Sequence, residues 1–231
     1  MLIFLDIETT GLENEDKICS IGLVAVDADT FVQKYDLVNE GKKISSKASS
    51  INHITNEMLK DKPKLQESET YKFLCEHNKE DTTLVAHNSK FDLKMLLACG
   101  FEFRGQTIDT LRVTKHLISE CDFFSLQFLR YELKLYRDEE KELCAHNALS
   151  DAKVVKLLYE YLLDMATHEE MCELGTKKVL MQKLNFGKYA GRYIEDIGMC
   201  DYKYLEWMLT NILDLDEDLR YSIGYYLQGR V

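Results

Sequence analysis

The sequence Leu5-Asp6-Ile7-Glu8-Thr9-Thr10-Gly11-Leu12 decides the fold and points to its chemistry. The apolar run that enters it predicts a buried strand over residues 2–7. Asp6 and Glu8 are two positions apart, so their side chains project from the same face of that strand. Adjacent carboxylates in an apolar strand repel each other unless a proton or a hard cation such as Mg²⁺, Mn²⁺ or Ca²⁺ lies between them. A strand end with both acids in water is the alternative, and Gly11, which permits a sharp turn close to a ligand, favours the metal.

The rest of the chain predicts more strands first and then alternating strands and helices. Further strands are predicted at 18–27, 31–38, 83–86 and around residue 108, and helices near 68–77, 90–99, 111–119, 125–134 and 148–166. Residues 40–70 are polar and carry no clear pattern before residue 68. Consecutive strands at the beginning, followed by alternating strands and helices, predict an α/β domain with a mixed sheet flanked by helices.

Length and charge predict the domain organisation. The 231 residues suit one ordinary domain with a small appendage, and the net charge of −11 argues against broad, non-specific coating of nucleic acid. Residues 176–231 hold eight basic and eight acidic residues, so the whole negative charge lies on 1–175. We therefore predict one domain over 1–170 and a small C-terminal domain over 176–231.

The cysteines and the N-terminus predict the cellular setting. The seven cysteines contain no closely spaced pair of the kind that binds zinc, which favours reduced thiols. The N-terminus has no basic leader, and no apolar run reaches the roughly 20 residues of a membrane span. We expect a cytoplasmic protein without a membrane partner.

Two downstream motifs add acidic residues to the first. Asp92, in Ala86-His-Asn-Ser-Lys-Phe-Asp92, falls in the first turn of a predicted helix, where an acid is favourable even without a function. In His146-Asn-Ala-Leu-Ser-Asp151 the two ends would differ by about 140° on one helix, so both could face one site only if His146 lies in the preceding loop. Together with residues 5–12, these motifs resemble the DEDDh subgroup of the DEDD 3′–5′ exonuclease superfamily, which includes proofreading subunits, over residues 1–165.

The resemblance implies a ribonuclease H-like fold and hydrolysis assisted by two Mg²⁺ or Mn²⁺ ions. Asp6, Glu8 and Asp151 would hold the ion that activates water, and Asp6 with Asp92 would serve the ion at the leaving oxygen. His146 would be the general base, because an imidazole accepts protons near neutral pH. The resemblance also implies contacts to the terminal nucleotide from Thr9, Thr10, Leu12, His53 and Phe91.

The implied activity is a 3′–5′ exonuclease that releases nucleoside 5′-monophosphates from DNA 3′ ends, in DNA repair or replication. An enzyme of the same chemistry that trims RNA or oligoribonucleotides remains open. A non-catalytic nucleic-acid-binding or polymerase-accessory module is disfavoured, because all four carboxylates and the histidine are present. The implied partners are a nucleic-acid 3′ end and a DNA polymerase or other repair factor.

The C-terminal segment resembles the small domain that follows the nuclease in exonuclease X-like proteins. The resemblance lies in Phe186-Gly-Lys-Tyr-Ala-Gly-Arg-Tyr193. Residues 177–203 carry six basic and three acidic residues among aromatic ones, a composition that suits contact with a nucleic-acid strand. In so small a domain the same rings could instead form the core.

Overall fold

The computed structural model describes residues 1–13, 15–139 and 143–228. Its strands are β1 (Leu2–Thr9), β2 (Ile18–Asp27), β3 (Thr30–Leu37), β4 (Thr83–Ala86) and β5 (Gln106–Asp109). Its helices are α1 (Ser46–Asn52), α2 (Asn56–Leu59), α3 (Glu69–Glu76), α4 (Ser89–Ala98), α5 (Thr110–Leu117), α6 (Leu126–Glu132), α7 (Ala148–Leu162), α8 (His168–Thr176), α9 (Ile194–Asn211) and α10 (Glu217–Gln228). Two 3₁₀ turns lie at Leu65–Glu67 and Leu135–Asp138.

The strands form one sheet in the order β3-β2-β1-β4-β5. The first three strands pair antiparallel, whereas β1 with β4 and β4 with β5 pair parallel. The predicted α/β fold with a mixed sheet is confirmed. Apolar runs at β1, β2 and β4 made these strands recognisable, because strands covered on both faces carry few polar residues.

Alternation along β1 sends its side chains into two apolar layers. Ile3, Leu5 and Ile7 join a buried cluster that includes residues of α3 and α4. Phe4 faces the opposite layer, where its ring packs edge-on against Tyr159 of α7 with the centroids 5.4 Å apart. Since successive side chains alternate, Asp6 and Glu8 continue the row of Phe4 toward the start of α7.

The polar stretch 40–70 contains structure that the sequence pattern did not predict. Helices α1 and α2 have seven and four residues, too few for a clear apolar period. Each begins at a hydroxyl cap, since Ser45 accepts from the amide of Ala48 and Thr55 from that of Met58. A small buried cluster that includes Cys19 and Ile54 anchors this segment to the sheet.

The C-terminal residues have an apolar cluster of their own. Helix α8 packs on β5 and α5, so the contacts of the first unit extend past residue 170. Beyond it, α9, which is kinked at Asp201, and α10 enclose Leu184, Leu205 and Leu219. The ion pair of Arg112 on α5 with Asp218, 2.9 Å long, joins this cluster to the first unit. The division into two domains stays a prediction, and these contacts move its proposed boundary to residue 176.

Two smaller observations concern the thiols and the apolar character of the helices. All seven cysteines are free thiols. Among the residues that the structure describes, no helix has the length and apolar character needed to cross a membrane.

Candidate active site

A glycine in β2 brings α7 into contact with the acidic end of β1. Gly22 pairs with Asp6 across the two strands. A β-carbon on Gly22 would lie 2.2 Å from the amide nitrogen of Leu149 and 2.3 Å from the carbonyl carbon of Ala148. Only a glycine therefore allows the first turn of α7 to rest on the sheet beside Asp6. No local sequence pattern marks Gly22, because its role depends on a helix that begins more than a hundred residues later.

The beginning of α7 separates the predicted histidine from the predicted acid. Asn147 caps the helix, and its side chain accepts from the amide of Ser150 at 3.1 Å. His146 precedes the cap, with a φ of 58° and an exposed side chain. Asp151 lies inside the first turns, is buried, and accepts from the backbone N–H of His146. The structure thus places His146 at the open side of Asp151.

The predicted site residues converge from three elements. Ligand atoms of Glu8, His146 and Asp151 all lie within 4.8 Å of one another. Asp92, in the first turn of α4, is buried and accepts from the backbone N–H of Ile7. Asp6 lies on the same face of β1 as Glu8, and the charges of Asp92, Asp151 and Glu8 all raise its pKa.

Burial and mutual repulsion make these carboxylates hard to ionise. Burial raises the pKa of Asp6 well above its usual range, and the neighbouring Asp92 raises it further. Burial, reinforced by Asp151, raises the pKa of Glu8 to about 8. Burial raises the pKa of Asp151 to about 6, against hydrogen bonds that oppose the shift. Burial likewise raises the pKa of Asp92 well above its usual range.

This set of donors fits a hard divalent cation. Within the described residues, none of these four carboxylates forms an ion pair with a lysine or an arginine. Buried carboxylates without a cationic partner are stable together only when protons or metal ions neutralise them. Their oxygen ligands are those that magnesium and manganese prefer.

Asn52 at the end of α1 connects this helix to the acidic strand. Its side chain hydrogen-bonds Glu8, donates to the carbonyl of Thr9 over 3.3 Å, and accepts from the amide of Ile54 over 3.1 Å. The next residue, His53, ends the helix in the left-handed conformation and is exposed. The resemblance implies a role for His53 but none for Asn52, the residue directly before it.

A row of side-chain hydrogen bonds reaches Asp151 from α6. Gln127 donates to Oδ1 of Asp151 over 2.5 Å and accepts from Arg130 over 3.2 Å. Arg130 in turn binds both carboxylate oxygens of Glu139, at 2.5 and 2.7 Å. The side chains of this ion pair are each only 5% exposed. No sequence motif marked these three residues.

The predicted nucleotide contacts differ in how accessible they are. Leu12 is 78% exposed, and Phe91 is partly buried against the apolar layer beneath α4. Thr9 is buried and donates from Oγ1 to the carbonyl of Gly11 over 2.6 Å. Thr10 is only 2% exposed, and its hydroxyl donates to Asp16 and accepts from the amide of Lys17. These bonds give the side chain of Thr10 a role in shaping the loop.

The mixed sheet and the converging carboxylates define a metal-dependent nuclease of the phosphodiester-hydrolysing class. A family model described as exonuclease (RNase_T) matches residues 3–159, and the chain belongs to this exonuclease family. The family depends on divalent metal ions. This membership confirms the prediction of a DEDDh-type 3′–5′ exonuclease made from the motifs.

Curated relatives and solved structures agree with this assignment. Exodeoxyribonuclease 10 of Escherichia coli (strain K12) is 27% identical, over 99% of this chain and 100% of that protein. A PolC-type DNA polymerase III of Thermotoga maritima is 33% identical over 79% of this chain and 13% of that protein. Exonuclease X in complex with 5′ overhanging duplex DNA matches with a TM-score of 0.61 and 28% identity, over 76% of this chain and 99% of that one. The nuclease domain of 3′hExo, a DEDDh family member bound to rAMP, shares the fold with a TM-score of 0.52 at 16% identity.

Proposed function

We propose that this protein removes nucleoside 5′-monophosphates one at a time from DNA 3′ ends. The observation that carries the proposal is the convergence of buried Asp92 and Asp151 with half-buried Asp6 and Glu8, and an exposed histidine beside them. DNA is favoured over RNA because the relatives include an exodeoxyribonuclease and an exonuclease X bound to duplex DNA. Likeness to the PolC-type polymerase favours a setting in replication or repair, with a polymerase as a partner. Free thiols favour a cytoplasmic location.

The carboxylates would hold two Mg²⁺ or Mn²⁺ ions. Asp6, Glu8 and Asp151 are assigned to one ion, and Asp6 with Asp92 to the other. Such ions supply a water of lowered pKa and stabilise charge on the phosphoryl oxygens. The raised pKa values of the metal-free carboxylates support this assignment, since bound cations would favour their ionised forms.

His146 is assigned as the general base. Its ring nitrogen takes the proton from the attacking water, and the water oxygen forms a bond to the phosphorus. The bond from phosphorus to the O3′ of the preceding nucleotide breaks, and that oxygen takes a proton from solvent. The nucleoside 5′-monophosphate leaves, and the strand is one residue shorter. Exposure of His146 allows the proton to pass on to solvent.

The proposed nucleotide contacts follow from accessibility. Leu12, Phe91 and His53 are assigned to the terminal nucleotide, with Thr9 supporting the loop that presents Leu12. Thr10 is assigned to the shape of that loop. The small C-terminal domain, proposed to begin after residue 176, would pack against α5 and the segment that follows it.

Digestion of matched DNA and RNA strands labelled at the 5′ end tests the function. We expect a ladder of DNA products shortened from the 3′ end, with nucleoside 5′-monophosphates released and chelator abolishing the reaction. Asp6→Asn is the inactive control. Faster digestion of RNA than of DNA would show that the protein is an RNA-trimming exonuclease. Strand binding without digestion in Mg²⁺ or Mn²⁺ would show that it is a non-catalytic nucleic-acid-binding module.

A further inference from the structure

The segment over residues 41–64 is strongly basic in an acidic protein. It holds six lysines and two acidic residues, whereas the whole chain has a net charge of −11. Lys43, Lys47, Lys60, Lys62 and Lys64 are exposed, and none of them forms an ion pair within the described part of the chain. Five exposed lysines outside any ion pair thus stand against two acids, Glu57 and Asp61, in this segment.

This lysine segment lies directly against the acidic site. The amide of Ser45 donates to the carbonyl of Thr10 over 3.2 Å, and Asn52 bonds both Thr9 and Glu8. Lys42 forms an ion pair of 3.0 Å with Asp16, in the loop that follows β1. The segment is therefore one wall of the approach to the carboxylates.

Part of this wall is a preformed recess. An open recess of about 350 Å³ is lined by Lys42, Lys43 and Lys60 among others, with one acid, Glu57, at its edge. Asn56 accepts from the amide of Ile44 over 3.0 Å and donates to its carbonyl. The side chain of Asn39 donates to the carbonyl of Leu59 over 2.9 Å. These bonds cross-link the backbone of the recess and hold the lysine stems on a fixed frame.

Most basic side chains of the other basic stretch of the chain make internal contacts. Over residues 177–203, Lys183 pairs with Asp122, and Lys188 pairs with Asp201 while lying 4.7 Å from the centre of the Tyr189 ring. Arg192 also stacks on Tyr189, which packs against the C-terminal apolar cluster. Charges already paired attract a polyanion less than unpaired ones.

We propose that the lysine segment binds the phosphate backbone of the substrate strand upstream of its 3′ end. The inference rests on the proposed function, because a polyanion must reach an acidic site on an acidic protein. Unpaired lysines at the wall of that site supply the local attraction and orient the strand toward the carboxylates. The partner is a single strand of nucleic acid, recognised through its phosphates and not through its bases.

The test replaces Lys43 and Lys60 with glutamine in the full chain. The matched control is Lys79→Gln with Arg104→Gln, which removes the same charge from exposed sites that precede β4 and β5. Two substrates are compared: a 20-nucleotide DNA strand and the 4-nitrophenyl ester of thymidine 5′-monophosphate, which is too short to reach the lysines. Strand affinity is also measured by fluorescence anisotropy in Ca²⁺ at several salt concentrations.

We expect the Lys43/Lys60 variant to raise the ratio of the KM for the strand to the KM for the ester several-fold, with kcat on the strand retained. The slope of log affinity against log salt should become shallower by about 1.4, two phosphate contacts at about 0.7 each for a single strand. The control pair should change neither quantity. An unchanged ratio of KM values and an unchanged salt slope, or equal effects of the test pair and the control pair, would overturn the proposal that the lysine segment binds the strand. A wild-type protein that cleaves neither substrate would overturn the proposed function. The anisotropy measurement would still show whether the lysine segment binds the strand.

Discussion

The side chain of Gln127 donates to Oδ1 of Asp151 over 2.5 Å, while its own oxygen accepts from the guanidinium of Arg130. The amide is thus held at both ends, and its N–H points at a proposed metal ligand. Partners of this kind orient a ligand and tune its affinity for the metal. We therefore predict that Gln127→Met raises the Mg²⁺ concentration for half-maximal activity about 10- to 100-fold.

A metal titration of activity, with the melting temperature measured in parallel, checks this prediction. Gln182→Met is the matched control, because Gln182 is also half-buried and donates to Ser119 over 2.9 Å outside the site. The control should keep the metal requirement of the wild type. An unchanged requirement in Gln127→Met, or a shift that merely follows a lower melting temperature, would show that the bond does not orient Asp151.

The ion pair of Arg130 and Glu139 is buried and supports this amide. We predict that Arg130→Met lowers the free energy of unfolding by about 3 to 5 kcal/mol, since Glu139 is left buried without its partner. Adding Glu139→Leu should recover much of the loss. Urea unfolding measures the free energy of unfolding of both variants.

Lys72→Met, which breaks an exposed pair with Glu69 on α3, is the control and should leave the midpoint almost unchanged. Equal midpoints for Arg130→Met and the wild type would contradict the prediction.

The sequence predicted the parts of this molecule whose signals are local. Strand β2 was predicted with its observed bounds, 18–27, because its apolar run ends at the turn signal of Asp27. Asp6 and Glu8 share a face by strand geometry alone, and the loop position of His146 follows from helix geometry once the resemblance assigns His146 and Asp151 to one site. These inferences need only a few neighbouring residues.

The functional residues that no sequence motif marks act through distant partners. Gly22 is needed because of Leu149, and Gln127 because of Asp151. A sequence without its fold gives no reason to connect them. Helix α1 was missed for a different reason, because seven residues with a serine cap resemble a polar loop.

The raised carboxylate pKa values predict how metal and pH act on stability. Folding raises the pKa of Asp151 to about 6 and that of Glu8 to about 8, above the ordinary values near 4 of the unfolded chain. The folded state then binds more protons between about pH 4 and pH 8, so its stability falls as the pH rises through this range. We predict that the melting temperature in chelator decreases from pH 5 to pH 8.

Bound metal should reverse this trend, because cations favour the ionised carboxylates. The increase in melting temperature on adding Mg²⁺ is therefore expected to grow from pH 5 to pH 8. Glu8→Gln should flatten both curves, because the amide cannot ionise. Scanning calorimetry at several pH values, with and without Mg²⁺, measures the effect. A metal-induced increase that is the same at pH 5 and pH 8 would rule out the repulsion among these groups.

Replacement of His146 separates proton transfer from metal binding. Because its φ is 58°, His146→Asn preserves a backbone conformation that asparagine tolerates well. We predict that this variant lowers kcat about 10²- to 10⁴-fold, with the metal requirement and strand affinity retained. Asp151→Asn should instead weaken metal binding itself. Turnover of His146→Asn within a few-fold of the wild type would remove the histidine from the mechanism.

The close approach of α7 to Gly22 gives the last prediction. In Gly22→Ala the added carbon would overlap the backbone of Ala148 and Leu149, so α7 must move away from β1 and carry Asp151 with it. Overpacking of this kind costs about 1 to 3 kcal/mol of stability. A displacement of a catalytic group by about 1 Å can cost about 10²-fold in rate. We therefore predict a variant that still folds at 20 °C and whose turnover is reduced about 100-fold.

Gly224→Ala, on α10 where a β-carbon would contact nothing, is the control and should keep full turnover with equal or higher stability. Single-turnover digestion of a DNA strand, normalised to the folded fraction from circular dichroism, measures the effect. Wild-type turnover per folded molecule in Gly22→Ala would show that α7 adjusts without moving Asp151.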